Sequence, residues 1–105
     1  MEEQVNIDWS ERALNMLDEI EAYISQYSKI SAAKYIGGIL GKVERLEKHP
    51  ESCAPCRNPA LYERSYRCCL YRNHIIAYKF IKNEVRIYGI IPSRMNPDRM
   101  IDFVE

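Results

Sequence analysis

The sequence has little of what marks membrane, fibrous or disordered chains. No apolar run approaches the roughly 18 residues of a membrane helix, and the acidic start MEEQVNIDW contains no apolar stretch typical of an export signal. Only four glycines and five prolines occur in 105 residues, and 47% of the chain is hydrophobic. We therefore expect one globular domain over residues 1–105, in the cytoplasm and away from membranes.

Several catalytic motifs are also missing. The sequence has no glycine-rich phosphate loop, no nucleophile elbow and no HExxH zinc helix. It has only two histidines, His49 at the end of a predicted helix and His74 at the start of a predicted strand. His74 stands close to Arg72, where it would act either as a general acid or base or as a solvated turn residue.

All four cysteines fall in one stretch, CAPCRNPALYERSYRCC. Cys53 and Cys56 would supply half of a zinc site, but Cys68 and Cys69 are neighbours in a predicted strand and point to opposite faces, so only one of them would join. His49 would then be the fourth ligand. A redox CxxC normally follows a strand and begins a helix, whereas this one follows a helix. We expect reduced, incidental thiols in the cytoplasm, with no metal and no cofactor.

Charge is balanced overall but uneven along the chain. Residues 1–52 carry ten acids and six bases, and residues 53–105 carry nine bases and five acids. Most tyrosines also lie in the basic half. Arginine beside tyrosine is typical of phosphate contact with base stacking, and equally of a solvated sheet face. The basic half holds seven arginines: Arg57, Arg64, Arg67, Arg72, Arg86, Arg94 and Arg99.

The first half of the chain predicts a strand and two helices. Val5–Trp9 alternates apolar and polar residues, and Ser10 then caps a helix over Glu11–Tyr27. A second helix begins at Ser31 as its cap and ends near Lys48. Three glycines within it predict close packing against a neighbour such as the first helix: Gly37, Gly38 and Gly41.

The second half predicts a meander of three strands after a loop over residues 51–59. The strands are Tyr66–Tyr71, His74–Ile81 and Val85–Ile91, and the tail is irregular or a short helix. The order β-α-α-β-β-β indicates an α+β fold, in which a helical hairpin packs on one face of a small antiparallel sheet. The other face is expected to stay open and to carry the arginines and tyrosines.

The ordered set of segments resembles the RelE/ParE superfamily of toxins from bacterial type II toxin–antitoxin systems. The resemblance covers residues 5–97, and no single motif in it is specific. The segments that carry it are WSERALNMLDEIEAYI, AAKYIGGILGKVERLEKHPES, YRCCLYRNHIIAYKF and EVRIYGIIPSRMNP.

The resemblance implies a small toxin neutralised by an antitoxin, whose acidic C-terminal segment wraps the toxin. ParE-like members inhibit DNA gyrase, whereas RelE-like members cut mRNA on the ribosome without metal. Members of the nuclease branch often carry a histidine before the arginine that follows the last strand, and here that place reads Ile91-Pro92-Ser93-Arg94. The missing histidine favours the ParE-like branch, and whether the chain is an enzyme stays open.

Two sets of site residues follow from these alternatives. In a nuclease, arginines would bind phosphate, and His74 or Tyr88 would move the proton. The nuclease candidates are Arg67, Arg72, His74, Arg86 and Tyr88. The candidates for binding the antitoxin or a target protein are Arg64, Arg67, Tyr78, Arg86 and Arg94. We also expect a free toxin to expose an apolar patch where the antitoxin packs.

Overall fold

The structure is a computed structural model that describes residues 5–105. In it, a β-sheet lies between two apolar clusters of unequal size. None of the helices in that range is both long and apolar enough to span a membrane. Two short 3₁₀ segments occur, at Arg45–Glu47 and Pro97–Phe103. The remaining elements are β1 (Asn6–Trp9), α1 (Glu11–Ser25), α2 (Lys29–Glu44), α3 (Pro59–Glu63), β2 (Arg67–Tyr71), β3 (His74–Ile81) and β4 (Glu84–Pro92).

Serine side chains set the starts of the two long helices. Ser10 Oγ accepts the Ala13 N–H at 3.0 Å, as predicted from the sequence. The cap of α2 is Ser28 and not Ser31, because the Ser31 N–H donates to Ser28 Oγ at 3.1 Å. The second helix therefore begins three residues earlier than predicted, and α1 ends at Ser25, two residues before the predicted Tyr27.

Only one of the three glycines of α2 allows a close approach. A methyl group on Gly38 would overlap the ring of Tyr71 in β2, whereas Gly37 and Gly41 have no such neighbour within 4 Å. The prediction of close packing holds at Gly38, but the neighbour is the sheet and not α1. The space at Gly38 lets α2 lie against the edge of the sheet.

The strands run in the order β1-β4-β3-β2. β2, β3 and β4 form the predicted antiparallel meander, and β1 joins β4 in parallel, so the whole sheet is mixed. The turn between β3 and β4 places Lys82 and Asn83 at φ 50° and 62°. Positive φ at both residues is the type I′ geometry that matches the twist of paired strands.

The main core lies between α1, α2 and one face of the sheet. α1 contributes Ala13 and Leu17, and α2 contributes one side at helical spacing, as the apolar periodicity predicts. Trp9 packs against this core from β1. The sheet supplies Cys69, Ile76, Tyr78, Val85, Ile87 and Ile90.

A second cluster covers much of the opposite face, which the sequence predicted to be open. That prediction is wrong for this part of the sheet, because α3 and the C-terminal segment fold across it. The Arg12 guanidinium of α1 anchors that segment by donating to the carbonyl oxygens of Asp102 and Glu105, each at 3.0 Å. The buried members are Cys56, Leu61, Tyr66, Ala77, Ile91, Met100 and Val104.

All four cysteines form disulfides, so the prediction of free thiols is wrong. Cys53 pairs with Cys69 and Cys56 with Cys68, with Cα atoms 5.4 and 5.0 Å apart. Residues 54–56 run beside β2, where the Cys56 N–H donates to Tyr66 O at 3.0 Å and the Cys68 N–H to Ala54 O at 3.1 Å. The two neighbouring cysteines of β2 point to opposite faces, and each therefore meets a different cysteine of the loop.

Candidate functional site

His74 lies at the end of the sheet on the face covered by the helices. Its Nδ1 lies 2.6 Å from the hydroxyl of Tyr35 in α2, a hydrogen bond whose direction follows the tautomer of the ring. The Asn73 N–H donates to the same hydroxyl at 3.3 Å. Burial lowers the pKa of His74 and raises that of Tyr35, so both groups favour their neutral forms.

An apolar cleft of about 410 Å³ opens beside His74. The β2–β3 turn and the end of β4 meet at its border, because the Ser93 N–H donates to Asn73 O at 2.8 Å. Arg72 and Arg94, both exposed, are the chain neighbours of this hydrogen-bonded pair, since Arg72 precedes Asn73 and Arg94 follows Ser93. The cleft is lined by Met16, Glu19, Ile20, Tyr23, Ile24, Tyr35, Asn73, His74, Ile90, Pro92 and Phe103.

A second group of functional candidates lies on the opposite face of the sheet. Arg86 lies over the ring of Tyr88, with its guanidinium carbon 5.6 Å from the ring centroid. Lys79 Nζ lies 4.4 Å from the centroid of Tyr66 and 5.4 Å from that of Tyr88. These cation–π contacts confirm that Arg86 and Tyr88 share a face and add a lysine to them.

Carboxylates already partner two arginines of this face. Arg86 forms an ion pair with Asp8 of β1. Arg64 Nε lies 2.9 Å from the carboxylate of Glu105, which also accepts the hydroxyl of Tyr66 at 3.1 Å. Burial and this hydrogen bond raise the pKa of Tyr66, so its hydroxyl remains a donor. The face is therefore an internally paired network of charges and aromatic rings.

Arg67 holds the cysteine loop. Its guanidinium donates to Cys53 O at 2.8 Å and to Glu51 O at 3.4 Å, and it pairs with the Glu51 carboxylate at 3.4 Å. A side chain committed to two carbonyl oxygens and a carboxylate has a structural function. Loss of activity on replacing Arg67 would therefore report on the loop as well as on any binding site.

Among the predicted site residues, Tyr78 lies farthest from its expected surroundings. It is fully buried in the main core, and its hydroxyl donates to Pro50 O at 2.7 Å. The prediction that it lies on an open face is wrong, because the alternation along β3 turns it towards the helices. Its side chain has no access to a target or an antitoxin.

The five nuclease candidates do not meet in one place. Arg86 and Tyr88 lie on the second face, while His74 contacts α2 on the first. Arg67 lies at the other end of β2 from Arg72, which sits in the turn over the ring of Tyr71. His74 and the Arg86–Tyr88 pair therefore do not face one common phosphate position.

Large apolar side chains are exposed at the tip of the helical hairpin. Tyr23 is 64% exposed, Tyr27 77% and Ile30 72%. The rings of Tyr23 and Tyr27 contact edge to face, with centroids 5.7 Å apart. Tyr23 also lines the cleft beside His74, so exposed and cleft-lining apolar groups are continuous there.

Sequence reasoning missed four members of these groups: Tyr35, Tyr66, Lys79 and Glu105. Lys79 lies opposite Arg86 in the paired strands, but the predicted turn over residues 82–84 is one residue too long and would have set Lys79 opposite Ile87. Tyr35, Tyr66 and Glu105 reach their partners across 39 residues of chain. No local pattern signals contacts of that range.

Metal ligands are not gathered anywhere in residues 5–105. The structure holds no group of three or more His, Cys, Asp or Glu side chains placed to bind a metal ion in that range. The cysteines that would have formed a zinc site are divided between the two faces of β2. The four cysteines are therefore not available as ligands for the zinc site considered from the sequence.

Comparisons with known proteins place the chain in a family. No curated protein matches its sequence. A solved structure described as "Chromosomal ParDE TA system from P. aeruginosa" superposes with a TM-score of 0.68 at 20% identity, over 85% of this chain and 96% of that one. The sequence model described as "ParE toxin of type II toxin-antitoxin system, parDE" matches residues 7–97. Both the order of elements and the extent of this match lead to one conclusion: the chain belongs to the ParE toxin family of type II toxin–antitoxin systems.

Proposed function

We propose that this toxin arrests growth in the bacterial cytoplasm by binding a protein target such as DNA gyrase, and not by cutting RNA. The observation that carries the proposal is the separation of the nuclease candidates. His74 contacts Tyr35 on the helical face, while Arg86 and Tyr88 lie on the other. Acid–base cleavage of a phosphodiester needs the proton-transfer group and the charge-stabilising group around one phosphate.

The exposed apolar groups support a binding function. Tyr23, Tyr27 and Ile30 present a large apolar area on a rigid helical hairpin. Tyrosines on rigid elements are typical anchors of protein interfaces, because they bury much area at low entropic cost. The same feature supports an antitoxin as partner.

We further propose that an acidic C-terminal segment of the antitoxin occupies the cleft of about 410 Å³ beside His74. The cleft offers Ile20, Ile24 and Phe103 to apolar side chains. The exposed Arg72 and Arg94 at its border would attract carboxylates. This arrangement combines the apolar and acidic chemistry expected of such a segment.

The antitoxin proposal is tested by binding of the protein encoded in the adjacent gene. Ile20→Glu places a charge in the cleft and is expected to weaken binding at least about tenfold. Leu40→Glu is the matched control, because Leu40 is also a partly exposed apolar residue on a helix but does not line the cleft. Equal binding by both variants would show that the segment docks elsewhere.

The target proposal is tested by induced expression in a bacterium with two readouts from one culture. Primer extension on abundant mRNAs detects cleavage, and plasmid supercoiling with a DNA-damage reporter detects gyrase inhibition. We expect intact mRNA together with altered supercoiling and DNA damage.

Codon-phased mRNA cuts would overturn the proposal if they vanish in His74→Gln or Arg86→Gln. Arg99→Gln is the control for loss of an arginine, because Arg99 is exposed, pairs with Asp102 and does not line the cleft beside His74. Arg67→Ala is less informative, since it also releases the cysteine loop. Growth arrest without either readout would also contradict gyrase as the target.

A further inference from the structure

The Cys56–Cys68 disulfide lies in the wall of a second cleft, of about 670 Å³. Its apolar lining includes Leu61, Ile75 and Met100, and Arg57 stands among the lining residues. Clefts of this volume accommodate small-molecule ligands. A disulfide, an apolar wall and one guanidinium thus share a cavity that no part of the proposed function uses.

The other disulfide has different surroundings. Cys53 and Cys69 pack with the main core under the helices, and neither lines either of the two clefts. The loop beside Cys53 is also held by Arg67, which donates to the Cys53 carbonyl oxygen at 2.8 Å. Each bond joins one buried and one partly exposed cysteine, so exposure alone does not distinguish them. Thiol–disulfide exchange requires an attacking thiolate to reach one sulfur along the S–S axis, and of the two bonds Cys56–Cys68 is the one that lines a cleft.

We propose that Cys56–Cys68 is an exchange site for a small anionic peptide thiol of the glutathione class. The thiolate attacks Sγ of Cys68, the less buried partner, forming a mixed disulfide while Cys56 leaves as a thiolate. A second thiolate of the same kind then attacks the sulfur of the bound thiol. It releases Cys68 as a thiolate and carries away a disulfide, so one cystine is reduced by two thiols.

Arg57 gives this site its preference for an anionic thiol. A guanidinium at the cleft attracts the carboxylates of a peptide thiol and favours the attacking thiolate. A thiol without carboxylates gains only the stabilisation of its attacking thiolate. The proposed substrate class therefore follows from the one cation that lines the cavity.

Exchange at this bond leaves the fold in place. Cys53–Cys69 still links the loop to β2, and Tyr78 and Arg67 still hydrogen-bond to the carbonyl oxygens of Pro50 and Cys53. The change is confined to residues 54–58 and to the wall of the cleft.

The test uses the purified, oxidised full-length chain with reduced glutathione, quenched by acid and mapped as peptides by mass spectrometry. We expect Cys56–Cys68 to open first, with glutathione on Cys68 and the far-UV circular dichroism unchanged. Arg57→Gln is expected to slow the reaction with glutathione about two- to fivefold. With 2-mercaptoethanol, which is neutral, the same variant should react more nearly like the parent chain.

Arg99→Gln is the matched control, since it removes a surface arginine outside the cleft and should change neither rate. First opening of Cys53–Cys69 would overturn the proposal, as would simultaneous opening of both bonds. A chain in which neither bond reacts would overturn it too. Equal slowing of both thiols by Arg57→Gln would disprove the preference for an anionic thiol.

Discussion

The two faces of the sheet are covered in different ways. α1 and α2, with 15 and 16 residues, pack on one face and bury apolar residues at helical spacing. The five-residue α3 and a 3₁₀ segment of seven residues cover the other. Short elements bury less area and have few internal hydrogen bonds, so their position depends on side-chain anchors such as Arg12. The face under α1 and α2 thus forms a continuous core. The other face is covered by several short segments that leave a cleft open between them.

The largest expected effect compares one leucine from each face. Leu46 in the main core and Leu61 in the second cluster are both 1% exposed. Replacing a buried leucine by alanine lowers the free energy of unfolding by about 2–5 kcal/mol. We expect Leu46→Ala to fall near the upper end of this range and Leu61→Ala near the lower end. The reason is that Leu61 already borders the cleft of about 670 Å³ and loses fewer contacts. Urea unfolding of both variants under oxidising conditions measures the difference, and equal costs would show that the cover is as tightly packed as the core.

A smaller loss of stability is expected where the C-terminal segment packs on β4 at Gly89. A methyl group on Gly89 would lie 2.5 Å from the carbonyl oxygen of Phe103, so Gly89→Ala must displace that segment. We expect a loss of about 1–3 kcal/mol and faster cleavage near the C-terminus in limited proteolysis. Gly37→Ala is the control, because Gly37 is an exposed helical glycine with no neighbour within 4 Å. It should stabilise the chain by about 0.5–1 kcal/mol. Unchanged proteolysis of Gly89→Ala would contradict the docking of the segment.

The smallest effect is a pH dependence on the helical face. Burial lowers the pKa of His74 from its ordinary value of 6.5, so the unfolded chain binds the proton more tightly than the folded one. Stability should therefore fall as the pH drops through about 6.5 and level off below the lowered pKa. His74→Gln removes this contribution. The melting temperature of the variant should therefore fall less between pH 8 and pH 5 than that of the parent. Parallel curves for the two proteins would rule out His74 as the source.

Much of the helical face was predictable. The start of α1 at Ser10 and the bounds of β3 agree with the sequence patterns, because caps and alternation act within a few residues. The cap of α2 was misplaced, since Ser28 and Ser31 are equally suitable locally, and only the hydrogen bond from Ser31 to Ser28 distinguishes them.

The candidate site was predicted less well. Arg86 and Tyr88 share a face as expected, since both lie on one strand with alternating side chains. Tyr78 was assigned to the wrong face, because an alternating strand fixes which residues go together but not which set faces the helices. Arg67 could not be recognised as a loop anchor, because its acceptors lie 14 and 16 residues earlier in the chain.

The sequence by itself determined the order of the four strands and the two long helices, the helical stripe that builds the main core and the resemblance to a toxin superfamily, because each depends on short-range patterns. The short α3 was not predicted. Only the tertiary structure decided the parallel pairing of β1 with β4, the cover on the second face and the disulfide pairing. The cysteines show the physical reason. Alternation sends Cys68 and Cys69 to opposite sides of β2, but their partners are chosen by where a loop folds in space.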